Sequence, residues 1–186
     1  MYESRLANAR KVVSSLPQSA EYILVLNEIE GPDVVETLIK SNDVVKLGLQ
    51  WFACTQEPDI PIQIAVVSSI PIVQAHVHSV GDRLRPILEV SFDTAGGKLF
   101  VLACHFKSNV GGVSETEQSR LDAASVVSEI ARNLQYENPG ALILICGDFN
   151  EECWNGPALS AGGPLPCGGD FERGQWYCFW QDSDVS

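Results

Sequence analysis

Four short stretches carry residue types suited to phosphoester chemistry. Gly147-Asp148-Phe149-Asn150 sets a carboxylate and an amide two residues apart. It follows the apolar run Ala141–Cys146, which is rich in branched residues and too short for a helix. That run reads as a strand buried on both faces. Residues i and i+2 of a strand share a face, so Asp148 and Asn150 point the same way at its carboxyl end. A carboxylate and an amide there suit a hydrated Mg²⁺ or a phosphate oxygen. Glu28 follows a second run, Tyr22–Leu26, and His105-Phe106-Lys107-Ser108 follows Leu99–Cys104. Ser68-Ser69-Ile70-Pro71 follows Ile64–Val67. Glu28 and Asp148 can hold a hard divalent cation, leaving positions for water and a phosphate oxygen. Asn150 can orient that oxygen or the attacking water. His105 can protonate a leaving oxygen or donate to the phosphoryl group, and Lys107 can neutralise phosphate charge.

Each of these residues also has a plainer account. Asp148 and Asn150 can cap backbone groups of a turn. Glu28 can be a solvated acid after a strand, His105 a structural histidine and Lys107 a surface lysine. Arg120 can pair with Glu115 and Glu117 along a helix face. His76 and His78 share a strand face and can bind metal, but an exposed edge strand accounts for them more simply. Asp59, Arg83 and Arg85 read as turn and strand-edge residues.

The elements that must position these groups can be traced along the chain. Leu6, Ala9, Val12, Val13 and Leu16 predict a helix over 3–16, stopped by Pro17. Gly31-Pro32-Asp33 starts a short helix to about Lys40. Strands are expected at 46–54, 62–68, 72–79, 85–92 and 98–104, with Gly, Pro and Asp turns between them. Ser114 and Glu117 form a capping box for a helix over 114–135. Residues 153–186 carry no period and read as irregular. The whole of 1–186 is expected to be one domain with helices outside two groups of strands.

Composition narrows the partners. The net charge of −12 opposes broad clamping of nucleic acid, which needs a positive surface. It leaves room for a phosphate-processing site, because metal-binding carboxylates are part of the acidity. No apolar run reaches membrane-span length. A cytoplasmic protein is expected if Met1 is the true start, a secreted or periplasmic one if a signal has been lost. None of the six cysteines has Cys-x-x-Cys spacing, which argues against a structural zinc site. Cys104 and Cys146 are expected as small buried residues, and Cys153, Cys167 and Cys178 leave a disulfide unassigned.

Taken in order, Leu26-Asn27-Glu28, Ser68-Ser69-Ile70-Pro71-Ile72, His105-Phe106-Lys107-Ser108, Arg120 and Gly147-Asp148-Phe149-Asn150 resemble the endonuclease/exonuclease/phosphatase family of metal-dependent phosphoesterases. The resemblance covers about residues 20–152. It implies the α/β, four-layer αββα sandwich of deoxyribonuclease I-like proteins and hydrolysis of a phosphoester with Mg²⁺ or Mn²⁺. It implies Glu28 and Asp148 as metal ligands, and His105, Asp148 and Asn150 as the catalytic set. Lys107, Ser69, Asn27 and Arg120 would bind phosphate or substrate, with Ser68 and Ser69 shaping the site wall. The chain departs from the family pattern in three places. Asn27 replaces a Gln. The family's opening strand with its Asn has no counterpart, since Asn8 lies within the first helix. No His follows His105, so Asp182 and Asp184 do not match the family's terminal Asp-His pair. The resemblance thus implies a fold incomplete at both ends, whose unpaired sheet edges favour self-association.

Three readings follow. One is a metal-dependent phosphodiesterase or nuclease-like hydrolase of nucleic acid, phospholipid or a small phosphodiester. Another is an inactive phosphate- or metal-binding remnant. A third is a lipid or inositol phosphate phosphatase. Trp154, Trp176, Tyr177 and Trp180 would then line a substrate cleft or fill core.

Overall fold

The computed structural model describes residues 2–18, 20–151 and 156–159. Cys153, Cys167, Cys178, Trp154, Trp176, Tyr177, Trp180, Asp182 and Asp184 lie outside them. The chain divides into two compact units. The first comprises Met1–His105 and Asn138–Asp148, the second Phe106–Glu137 and Phe149–Ser186.

All seven strands of the described residues belong to the first unit. Their order is helix α1 (Tyr2–Ser14), β1 (Ile23–Ile29), α2 (Pro32–Ile39), a 3₁₀ turn at Val45–Leu47, β2 (Trp51–Cys54), β3 (Gln63–Ser68), β4 (Gln74–His78), β5 (Ile87–Thr94), β6 (Gly97–His105) and β7 (Leu142–Asp148). They form two sheets, one in the order β1-β3-β2 and one in the order β4-β5-β6-β7. Every pairing is antiparallel except β6 with β7.

Strand β3 shows why these layers form. All six of its residues are buried. Its side chains alternate with the pleat. Ala65 and Val67 join Leu6, Val13, Val35 and Leu38 in a cluster shared with the helices. Ile64 and Val66 join Leu88, Val90, Phe92 and Val101 of the other sheet. One strand thus holds the helical layer on one face and the second sheet on the other.

Several elements differ from the expected ones. Residues 46–54 do not make one strand. Gly48 takes φ 69 and ends the 3₁₀ turn, so β2 begins only at Trp51. Helix α3 (Val113–Glu137), in the second unit, starts one residue before Ser114, so the expected cap sits in its first turn. Strand β7 is half-buried rather than buried on both faces, because among the described residues it pairs only with β6 and stands at the sheet edge. Strand β4 is the other edge of that sheet, and its exposed His76 sits two residues from His78, which bonds Glu89 at 2.8 Å. Cys54, Cys104 and Cys146 are free thiols, all pushed up by burial, Cys54 and Cys146 to about 11, which makes them inert at neutral pH. Among the described residues no helix is long and apolar enough to cross a membrane.

Candidate functional site

The site of the first unit is built by strand register. Strands β6 and β7 run parallel and end together, with His105 opposite Asp148. Their side chains approach to 3.9 Å between Nε2 and Oδ2, a near contact rather than a hydrogen bond. Gly147 permits this. Its φ is 137, and a Cβ there would stand 1.9 Å from the Cys104 carbonyl oxygen. Only glycine lets β7 carry Asp148 in beside His105.

Glu28 arrives from the other sheet. Between the pairs Leu26↔Ala65 and Ile29↔Gln63 the register shifts, so Asn27 and Glu28 together face Ile64. Such a bulge re-aims a side chain, and Glu28 takes φ 59 within it. Asn27 ties the two sheets here, its Nδ2 donating to the Cys104 carbonyl at 3.2 Å. Its Oδ1 is buried and accepts no hydrogen bond among the described residues.

Arg85 is the fourth member, and no feature of the residues around it distinguishes it from Arg83. It lies two residues before β5, whose start runs antiparallel beside the end of β6. Burial lowers the Arg85 guanidinium, and the carboxylates of Glu28 and then Asp148 oppose that. Arginine stays charged through such shifts. The same two carboxylates act on His105, so all four groups share one electrostatic neighbourhood. His105 is 3% exposed. Burial, and then repulsion from Arg85, hold its imidazole below the usual range, against the pull of Asp148 and Glu28. His105 is therefore neutral at pH 7.

A folded pKa below the unfolded one means that the unfolded chain binds the proton more tightly. The stability that this group contributes is present above about pH 6.5 and is lost as pH falls below it. Urea midpoints at pH 7.5 and 5.5 should show that loss, smaller in His105→Gln. Arg85→Met removes a repelling cation, so the His105 titration followed by NMR should move up. An unmoved His105 titration would place Arg85 outside the site.

Two expectations are corrected by the topology. Ser68 and Ser69 do not belong to this end. Strand β3 runs antiparallel to β1, so Ser68 pairs with Ile23, at the start of β1. Five residues separate Ile23 from Glu28, roughly 17 Å at strand rise. Both serines instead hold Tyr22. Ser69 Oγ accepts its N–H at 2.8 Å, and Ser68 Oγ donates to its carbonyl at 3.2 Å. They lock the strand pair and shape no wall near Glu28.

Arg120, in the second unit, is corrected too. It is 1% exposed, and its guanidinium is committed to protein partners. Nε donates to Glu151 at 2.9 Å, Nη1 to Thr116 Oγ1 at 2.7 Å and Nη2 to the Val113 carbonyl at 3.0 Å. With three of its five N–H groups bonded to protein and the side chain buried, this guanidinium is turned inward. The acid it answers is Glu151, not Glu115 or Glu117, and the acid directly after Asn150 was the sequence signal for it. Also in this unit, Asn150 takes φ 52 and its Nδ2 donates to the Phe106 carbonyl at 3.1 Å. Lys107 is exposed.

The described residues contain no group of three His, Cys, Asp or Glu side chains arranged to hold a metal ion. The oxygen donors at this end of the first unit are two carboxylates and the Asn27 amide, beside the His105 imidazole.

The chain was compared with known proteins. The model of the Endonuclease/Exonuclease/phosphatase family matches residues 1–162. No curated protein matches. Among solved structures, TDP2 from C. elegans superposes with a TM-score of 0.62 at 21% identity, over 80% of this chain and 43% of that one. Sphingomyelinase C from Streptomyces griseocarneus gives 0.64 at 15% identity, over 81% and 59%. D. rerio TDP2, complexed with single strand DNA product, gives 0.56 at 15%, over 81% and 54%. The chain thus spans less than half of the C. elegans protein and somewhat more than half of the other two. These likenesses carry the fold, which is the deoxyribonuclease I-like one. With the match over residues 1–162, the chain belongs to the Endonuclease/Exonuclease/phosphatase family.

Proposed function

We propose that this chain carries the catalytic end of a metal-dependent phosphodiester hydrolase. The observation that carries the reading is the convergence of Glu28, Arg85, His105 and Asp148 at one end of the first unit, brought from four chain segments by a bulge, an antiparallel pair and a parallel pair. Two carboxylates and a buried amide oxygen that has no hydrogen-bond partner among the described residues fit a hard cation that keeps several waters. Glu28, Asp148 and Asn27 Oδ1 would hold Mg²⁺ or Mn²⁺. Such an ion polarises a phosphoryl oxygen and supplies a nucleophilic water at neutral pH.

The remaining residues handle the phosphate. Arg85 neutralises its charge and orients it. Neutral His105 donates a hydrogen bond to a phosphoryl oxygen where negative charge grows, acting as a donor rather than an imidazolium acid. Asp148 lies beside that ring, 3.9 Å from Nε2.

A second reading, an inactive phosphate-binding module, draws support from the lack of a three-ligand metal group among the described residues. Initial rates on bis(p-nitrophenyl) phosphate and p-nitrophenyl phosphate, with Mg²⁺ or Mn²⁺, separate the readings. The diester should react faster by about tenfold or more, since roughly 1.4 kcal/mol of preference suffices. A faster monoester would favour a lipid or inositol phosphate phosphatase. No turnover on either substrate would favour the binding module. The acidic chain, at −12, points toward a small or lipid phosphodiester before a long nucleic acid.

A further inference from the structure

Glu28 reaches the end of the first unit shared with Arg85, His105 and Asp148 through a bulge, and a bulge at a strand end needs something to stop it from slipping out. Strand β3 is the template that β1 follows, and its first residue, Gln63, pairs with Ile29 directly beyond the bulge. A regular ladder would instead set Glu28 opposite Gln63 and send its side chain to the face opposite that of Asn27. Strand ends fray readily, so a loose Gln63 would permit that slip. Glu28 itself sits at φ 59, in the left-handed region, where a non-glycine residue stays only if its surroundings over-determine it.

Two buried polar side chains of the same unit supply that constraint. Gln63 is 6% exposed and Thr55 1%. The Gln63 amide has every donor and acceptor position occupied. Its Oε1 accepts from Thr55 Oγ1 at 2.8 Å and from the Glu57 N–H at 3.1 Å, and its Nε2 donates to the Glu57 carbonyl at 3.1 Å and to the Ile60 carbonyl. The connection between β2 and β3 is thereby tied to the first residue of β3. Thr55 then fixes the second. Its hydroxyl accepts the Ile64 N–H at 3.0 Å, and its own N–H donates to the Ile64 carbonyl at 2.9 Å. Ile64 is the residue that Asn27 and Glu28 together face. Both of its backbone groups are taken on the β2 side. From the other sheet, the Cys104 carbonyl accepts from Asn27 Nδ2, so the bulge is held on two sides.

We propose that Thr55 and Gln63 are positioning residues, whose buried hydrogen-bonded pair fixes the start of β3 and so holds the β1 bulge that presents Glu28 to a divalent cation. The cation belongs to the hydrolase reading above, on which that part of the inference rests, whereas the hold on the bulge needs neither metal nor turnover. The test uses Thr55→Val in the full chain. Valine nearly keeps the shape but deprives Gln63 Oε1 of a donor and the Ile64 N–H of its acceptor. Thr55→Ser keeps the hydroxyl and is the rescue control. Gln63→Met removes the other half of the pair and serves where Thr55→Val does not fold.

In folded Thr55→Val the backbone chemical shifts of Glu28, which report its left-handed conformation, should move toward extended values, while those of β5 and β6 stay in place. The dissociation constant for Mn²⁺, read from the electron paramagnetic resonance signal of the free ion, should rise about tenfold or more, as for loss of a group that orients a ligand. Thr55→Ser should restore both readings to within about twofold of the parent. Unmoved Glu28 shifts in a folded Thr55→Val chain overturn the inference. So do moved shifts with the parent's Mn²⁺ constant, which would make the pair merely structural. If the parent binds no Mn²⁺, the hydrolase reading fails, and the Glu28 shifts alone then decide whether the pair holds the bulge.

Discussion

Asp148→Ala is expected to lower kcat/KM about a thousandfold, equivalent to roughly 4 kcal/mol of transition-state stabilisation. The carboxylate does two things at once. In the proposed site it would be one of two anionic oxygen donors for a cation, and it faces His105 across the parallel β6–β7 pair. The fold should survive its removal. The Asp148 side chain is 54% exposed, so alanine leaves no cavity and strands no buried charge. Thermal midpoints of the variant and the parent should therefore agree within about two degrees, while rates on bis(p-nitrophenyl) phosphate diverge. Asp148→Asn separates the two duties, since it keeps the shape and a hydrogen-bonding oxygen but removes the anionic donor. A rate near that of the parent in either variant would remove Asp148 from the chemistry.

The second large effect falls one residue earlier. Gly147→Ala should destabilise the chain by about 4 kcal/mol or more, at the exceptional end for a single methyl group. Two costs combine. At φ 137 the backbone is one that L side chains rarely adopt. The added Cβ would also stand 1.9 Å from the Cys104 carbonyl oxygen, with the Cys104 carbonyl carbon at 2.8 Å and its nitrogen at 2.9 Å. These are backbone atoms of β6, buried in the sheet and unable to swing aside. Relief requires β7 to shift, which would also carry Asp148 away from His105. Urea unfolding should show the midpoint falling sharply at constant slope. Any folded fraction should lose activity along with Asp148→Ala. A midpoint unchanged from the parent would mean that β6 and β7 do not meet in this register.

How much of this was legible in the residues depended on whether it was local or topological. The apolar runs ending at Leu26, Cys104 and Cys146 announced strands, and the polar residues after them announced a site. Those signals are carried by neighbours in the chain. Strand direction is not. Ser68 and Ser69 follow a buried run just as His105 does, but β3 runs against β1, which puts them at the far end of the pair. Arg85 illustrates the converse. It precedes its strand rather than following one, and only antiparallel pairing brings it to the end of β6. Along its helix face Arg120 has Glu115 and Glu117 at pairing distance in sequence. Its partner instead comes from Glu151, far along the chain. Edge position was hidden as well. The run Ala141–Cys146 is as apolar as a central strand, but only pairing distinguishes the half-buried β7 from the fully buried β3. The break at Gly48 was local in cause but masked by the apolar residues around it.

The most direct measurement of the central claim is metal-dependent turnover. The full chain is stripped with EDTA, and initial rates on bis(p-nitrophenyl) phosphate are followed as Mg²⁺ is added back, for the parent and for Glu28→Gln. No rate is expected without metal, with saturable activation in the parent and activation in Glu28→Gln that needs at least about tenfold more Mg²⁺, as when one of two carboxylate ligands is lost. Turnover that persists in EDTA, or a Glu28→Gln titration that overlays the parent, would contradict it.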